Sequence, residues 1–213
     1  LENEGVNIQY VDLDENGSPK LDHLERLLEA DDSIKLVSLM HINNEIGNLL
    51  NLSKVGNLCR ENGAYFHTDA VQGIGHYSFD LNAQPIDFLA AAAHKFHGPK
   101  GIGFAFIRKN TGLDPFIVGG PQERGLRAGT ESVHNIVGMQ KALEIAHEKL
   151  EEEKNYILDL KKYFVKKIKS LYPSVHFNGL SGSFENSSYT LVSIAIPLEP
   201  SKSQLLDFHM DLK

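Results

Sequence analysis

Apolar and polar residues alternate from residue 6 to 13, the period of a strand with one covered face. Glu15-Asn16-Gly17-Ser18-Pro19 then reads as a turn, and leucines at 21, 24, 27 and 28 recur with helical spacing. Residues 34–42 form a mostly apolar run, 52–60 predict a short helix capped by Ser53, and 64–68 return to strand composition. Two further strands are predicted at 87–93 and 103–108, on either side of Lys95-Phe96-His97-Gly98-Pro99-Lys100-Gly101, a loop rich in turn residues. One long helical pattern runs from 131 to 171, acidic at 151–153 and basic between Lys161 and Lys169, a polarity that complements the helix dipole. After Pro173 the pattern changes to short strands at 175–178 and 191–197 and a helix from 201 onward.

Alternating strands and helices, with strands apolar on both faces, predict an α/β fold with a parallel or mixed sheet covered by helices. The change of pattern divides the chain at the long helix, with residues 1–150 in a large domain and 151–213 starting a smaller α+β one. With 41% hydrophobic and 23% charged residues, the 213-residue chain can build a real core. Its 21 basic against 28 acidic residues leave a formal charge of -7, which argues against a nucleic-acid partner. Cys59 is the sole cysteine, so no intrachain disulfide can form and a reduced, cytoplasmic setting is expected. No signal-peptide pattern and no membrane-spanning apolar run is visible, so no membrane association is expected. The chain starts without Met and stops at Asp211-Leu212-Lys213, directly after a helical run, so a piece of a longer protein is expected.

Chemistry concentrates where predicted strands end. Lys95 is delivered by a strand to a glycine-rich loop, where partial desolvation lowers a lysine's pKa and makes it a Schiff-base nucleophile; taken alone it better fits a surface lysine beside a turn. Asp69, in His67-Thr68-Asp69-Ala70-Val71-Gln72, ends another strand and points into the crevice where α/β proteins bind ligands, or else caps a helix. A carboxylate there suits a pyridinium nitrogen, and the Gln72 amide suits the ring's phenolic oxygen. His41-Ile42-Asn43-Asn44-Glu45-Ile46-Gly47 follows a third apolar strand, with asparagines fit for a ligand or for a turn. The glycine-rich, two-arginine stretch 119–130 ends at Thr130, where the long helix opens and backbone N–H groups attract phosphate. Gly73-Ile74-Gly75-His76-Tyr77-Ser78 lacks the last glycine of a dinucleotide fingerprint, and Gly98-Pro99-Lys100-Gly101 lacks Walker spacing. His41, His67, His94 and His97 lack a carboxylate or cysteine at metal-site spacing, and no metal is expected.

In this order, the segments 43–47, 67–72, 94–101 and 119–130 resemble the signatures of the cysteine desulfurases, within the class V aminotransferase family. The resemblance implies the type I fold of aspartate aminotransferase, a large-domain core with a mostly parallel sheet, and pyridoxal 5'-phosphate as cofactor. It makes Lys95 the cofactor lysine, Asp69 the pyridine-nitrogen partner, Gln72 and Asn44 partners of the ring oxygen, and His94 a phosphate contact. Thr130 would reach the phosphate of the other subunit of a homodimer. The implied reaction takes L-cysteine to L-alanine, passing sulfur to an enzyme cysteine and on to an acceptor protein, for iron-sulfur cluster assembly or related pathways. Two positions depart from the family. Ala92 stands where a phosphate-binding Ser is usual, and Pro121 replaces the third glycine of a Gly-Gly-Gly stretch. The family's amino-terminal phosphate loop, ring-stacking histidine, mobile catalytic cysteine and a substrate-binding arginine have no counterpart here, and Cys59 reads as a packed core thiol. A fragment inactive by itself is therefore expected. A selenocysteine lyase shares the same constellation, and a non-catalytic scaffold domain is the rival of a different class.

Overall fold

The computed structural model describes residues 1–199. Its regular elements are α1 (Leu21–Ala30), β1 (Leu36–Ser38), α2 (Leu52–Glu61), β2 (Tyr65–Asp69), β3 (Phe88–Ala92), β4 (Gly103–Ile107), α3 (Val133–Glu148), α4 (Leu150–Leu171), β5 (His176–Phe177) and β6 (Ile194–Ala195). The order in the larger sheet is β1-β2-β3-β4, with the first three strands parallel and β4 antiparallel to β3. β5 and β6 form a separate antiparallel pair. No helix among the described residues is long and apolar enough to cross a membrane.

Strand alternation sorts the larger sheet into two faces. Val37, Phe66, Thr68, Leu89 and Ala91 point to one face and are buried. Against them pack Val55 and Cys59 of α2, Leu24 and Leu28 of α1, and Ala146 of α3, all in one apolar cluster. Gly56 has no room for a side chain, because a Cβ would lie 2.2 Å from the Pro85 carbonyl oxygen. A glycine in mid-helix, normally unfavourable, here lets α2 touch the segment that leads into β3. The opposite face carries Leu36, 53% exposed, and Tyr65, 40% exposed. The predicted covering by helices is thus realised on one face, and the other carries Asp69.

Several predicted elements change in detail. Residues 6–12 form no strand, and Leu13 makes only an isolated bridge to Pro19. Of the apolar positions there only Ile8 and Val11 are partly buried, Val11 against the core, while Val6, Tyr10 and Leu13 are exposed, so the alternation marks neither a paired strand nor a covered face. The Asp14 carboxylate closes the following turn by accepting from the Asn16 and Ser18 N–H groups at 2.8 and 2.9 Å. α2 is capped by Asn51, whose Oδ1 accepts from the Lys54 N–H at 3.0 Å, and Ser53 lies one residue inside the helix. The long helical pattern is two helices that part at Lys149, which places Glu151, Glu152 and Glu153 in the first turn of α4, where the dipole favours acids. α3 starts at Val133, so Thr130 stands before the helix rather than at its opening. The short strands near 176 and 194 appear as predicted, and the helix expected from 201 lies outside the described residues.

Because the helices gather on one face, truncations on the two faces of β2 are expected to differ. Phe66→Ala, at a fully buried position, is expected to cost about 3–5 kcal/mol in urea unfolding. Tyr65→Ala, its neighbour on the open face, should cost far less, and equal losses would contradict the one-sided core.

Candidate active site

Parallel pairing brings the carboxyl ends of β1, β2 and β3 to one edge of the sheet. The ladder continues past the strand ends, since the His41 N–H donates to the Asp69 carbonyl at 2.9 Å, and Ala70 N–H to Ala90 at 3.0 Å. Asp69 is thereby flanked by the chain leaving β1 and by β3. Its side chain lies on the open face, and the Val71 N–H donates to its Oδ1 at 2.9 Å, which fixes the carboxylate and leaves the second oxygen for a partner. The aspartate is thus a strand-end acid and caps no α-helix. Next to it the sheet surface is low. Asp69 pairs with Ala90, Ala90 with Ala105, and Ala92 with Gly103, all on the Asp69 face.

Lys95 follows β3 directly, on a short 3-10 turn (Ala93–Phe96) that anchors itself by burying Ala93 and Phe96 while exposing His94 and Lys95. His97 ends the turn in the left-handed region, at φ 66°, and the Gly98 N–H returns to the Ala93 carbonyl at 2.8 Å. Gln72, partly buried, sits in the turn after β2, and Gly73 beside it approaches His41 so closely that a Cβ would lie 2.2 Å from its Nδ1. In the segment after β1 the two asparagines divide the work. Asn43 Oδ1 accepts from the Glu45 and Ile46 N–H groups and builds the turn, whereas Asn44 is exposed and donates to Glu45 at 2.7 Å. Asn44, Asp69, Gln72, His94 and Lys95 therefore all follow or end parallel strands at one sheet edge. Thr130 does not join them; it is exposed on the segment leading to α3.

Three ionisable groups are shifted by burial, His41 and His67 near this edge and Cys59 on α2, beside the amino end of β2. His41 packs edge-on to Tyr77 and Phe79, and burial pushes its pKa down to about 4. His67 lies two residues before Asp69 on the same face, with Ser38 Oγ 2.8 Å from its Nδ1; burial lowers its pKa against the opposing pull of the Asp69 carboxylate. Cys59 is a core thiol, as predicted, and burial followed by the nearby Asp87 charge pushes its pKa up to about 12. It supplies no thiolate near neutral pH.

Two residues with no role in the sequence reading bear on the lysine turn, one directly and the other through the first. His76 Nε2 lies 3.0 Å from the Lys95 carbonyl oxygen, and the Tyr189 hydroxyl lies 3.3 Å from His76 Nδ1. The one local signal was Gly75, whose φ of 84° and close approach to Phe96 mark a turn pressed onto this loop.

Comparison with known proteins places this edge in context. The model of the family described as Aminotransferase class-V matches residues 1–203. The chain is similar to the cysteine desulfurase IscS of Clostridium botulinum, 42% identical over 179 residues, covering 84% of this chain and 45% of the relative. A similar protein from Photobacterium profundum, also a cysteine desulfurase IscS, is 39% identical over 181 residues, covering 84% and 44%. Among solved structures, a NifS-like protein superposes with a TM-score of 0.89 at 36% identity, covering 99% of this chain and 56% of the other. A NifS-like protein from Rickettsia africae gives 0.86 at 30% identity, covering 98% and 57%. The chain spans about half the length of the curated relatives it matches.

The depressed His41 pKa makes a signed prediction. An unfolded histidine takes up its proton below about pH 6.5, while the folded one resists until about 4. The resulting stability is present above pH 6.5 and lost as pH falls toward 4. The unfolding free energy should drop there by at most about 1.4 kcal/mol per pH unit from this group. Urea titrations at stepped pH should show a shallower acid slope for His41→Leu, and an unchanged slope would assign the effect elsewhere.

Proposed function

The chain belongs to the class-V aminotransferase family, and from that premise we propose that it forms the central part of a pyridoxal-phosphate-dependent cysteine desulfurase acting on L-cysteine. The observation that carries this reading is the row formed by Asp69, Gln72 and Lys95 at the ends of adjacent parallel strands. The residues fit the cofactor. Ala90, Ala92 and Ala105 leave a low floor beside the Asp69 carboxylate, on which a flat ring can lie. In this reading residues 1–150 belong to the cofactor-binding domain, and 151–213 begin the smaller one.

When bound, pyridoxal phosphate supplies an electron sink next to the substrate's Cα. Asp69, held by the Val71 N–H, accepts the proton-bearing ring nitrogen, and Gln72 and Asn44 donate their amides to the ring oxygen. His94 contacts the phosphate from the lysine turn, and Ala92 offers no hydroxyl to it. Lys95 Nζ would hold the cofactor covalently before substrate arrives and, once released, would be free to move the proton at Cα. His67, with its pKa lowered by burial, stays neutral near Asp69 and does not compete as a cation. The thiol that accepts sulfur is not Cys59, which is buried and protonated. The whole protein works as a homodimer in which Thr130 serves the partner's phosphate site, delivering sulfur to an acceptor protein for iron-sulfur cluster assembly or related pathways in the cytoplasm.

Incubation with excess pyridoxal phosphate, borohydride reduction and peptide mass spectrometry should place the cofactor mass on Lys95. Label spread equally over Lys100 and other exposed lysines would sink the reading. Ala92→Ser restores a hydroxyl on the same face as Asp69. One charge-assisted hydrogen bond to phosphate is worth about 1.5–3 kcal/mol, so cofactor affinity should rise by about tenfold or more in a spectrophotometric titration. Unchanged affinity would place the phosphate elsewhere.

A further inference from the structure

Lys161 is only 4% exposed, yet the two groups that receive its protons are the Ser187 hydroxyl and the Ser188 carbonyl, both at 2.7 Å. It clamps the segment that follows α4 to the middle of that helix. The next residue, Tyr189, is 5% exposed and lies 113 residues from its hydrogen-bond partner His76. Its hydroxyl sits 3.1 Å from the His76 carbonyl and 3.3 Å from His76 Nδ1, and its ring meets the His76 ring nearly edge-on. His76 in turn reaches the carbonyl of Lys95 through Nε2 at 3.0 Å.

The directions of these bonds follow from the chemistry of the groups. A carbonyl only accepts, so His76 Nε2 must carry the hydrogen that points at Lys95. Nδ1 of the neutral ring is then an acceptor, and the single Tyr189 hydrogen is shared between the His76 carbonyl at 3.1 Å and Nδ1 at 3.3 Å, so the phenol holds His76 through both its backbone and its ring. Burial, with smaller contributions from Tyr77, Glu153 and Glu151, pushes the Tyr189 pKa up to about 12, so the phenol keeps its proton at ordinary pH. The turn that carries His76 is itself wedged onto the lysine turn. Gly75 has φ 84°, and a Cβ there would come within 2.4 Å of the Phe96 Cβ.

We propose that His76 and Tyr189 are positioning residues for Lys95, forming a hydrogen-bonded relay that ties the turn of the cofactor lysine to the segment clamped on α4. The proposal rests on Lys95 being that lysine. The buried Ala93 and Phe96 hold the two ends of the turn, and the His76 bond adds a hold on Lys95 itself, whose side chain is exposed, so that Nζ meets a ring at a fixed place. The relay makes the lysine's position depend on the packing of α4 and the residues after it.

The test uses the whole chain and two readouts. Without cofactor, backbone hydrogen exchange of residues 93–98 should quicken about two- to tenfold in His76→Ala and in Tyr189→Phe, the range for loss of one hydrogen bond. His76→Gln, which keeps an N–H donor, should exchange near the wild-type rate. With pyridoxal phosphate, the Lys95-dependent absorbance band should form with affinity lowered by a similar factor in the first two variants and restored in His76→Gln. Lys95→Ala is the control for the underlying reading. A wild-type band that survives Lys95→Ala defeats that reading and this proposal with it, whatever the exchange rates show. If the band requires Lys95 but exchange or affinity is unchanged in both His76→Ala and Tyr189→Phe, only the relay is overturned. Should His76→Ala fail to fold, Tyr189→Phe, which removes a single oxygen, decides the matter.

Discussion

The parallel register of β1, β2 and β3 is the constraint on which the site depends. Pairing Asp69 with Ala90, and Asp69 backbone with the His41 N–H, lines up three strand ends. Each end then releases a turn carrying a polar side chain: Asn44 after β1, Gln72 after β2 and Lys95 after β3. A slip of one residue in β2 would turn Asp69 toward the helices and bring Thr68 to the open face, because neighbouring side chains point to opposite sides. The register is held by burial. Phe66, Leu89 and Val37 must all face α2 together, so the apolar core on one face sets where the acid emerges on the other.

Much of this was legible in the sequence because buried strands and amphipathic helices leave strong periodic signals. The apolar runs that became β1 to β4 and the leucine spacing of α1 were read correctly, as was the core character of Cys59. The signals failed where a local pattern has two physical causes. Alternation over residues 6–13 has the period of a strand, yet the segment finds no strand partner and rests on the core only through Val11. Helical periodicity runs on across Lys149, since a helix break need not disturb which residues are apolar. Asn51 and Ser53 both favour helix starts, and only geometry shows that the Asn51 carboxamide reaches an open N–H.

The candidate site was legible in part for a related reason. The residues proposed to meet a cofactor, such as Asp69 and Lys95, stand at strand ends and near glycines and draw notice. Residues that hold those residues do not. His76 and Tyr189 meet across 113 positions, and no local pattern announces a contact of that span. The same holds for Lys161, which looks like one more cation in a basic helix end until its burial and its two serine partners are seen. A buried lysine without a carboxylate is costly unless its hydrogens are used. Its two hydrogen bonds to Ser187 and Ser188 are therefore a strong local determinant of where Tyr189 stands.

The four alanines from Ala90 to Ala93 bring the two faces of the sheet into one account. Ala91 and Ala93 are buried on the helix side, where small side chains let Gly98 fold back so closely that a Cβ on Gly98 would lie 2.9 Å from the Ala93 Cβ. That close return shapes the turn on which Lys95 sits. Ala90 and Ala92 face the other way, toward Asp69, where larger side chains would stand in the space a planar ligand needs. The run thus meets two steric demands at once, tight packing below and an open floor above, and alanine is the residue that meets both without the backbone freedom of glycine. The cost falls on polarity. A strand that ends in alanines offers no hydroxyl there, so in the proposed reading an anion at this edge would be met by the turn residues and the backbone N–H groups around Lys95.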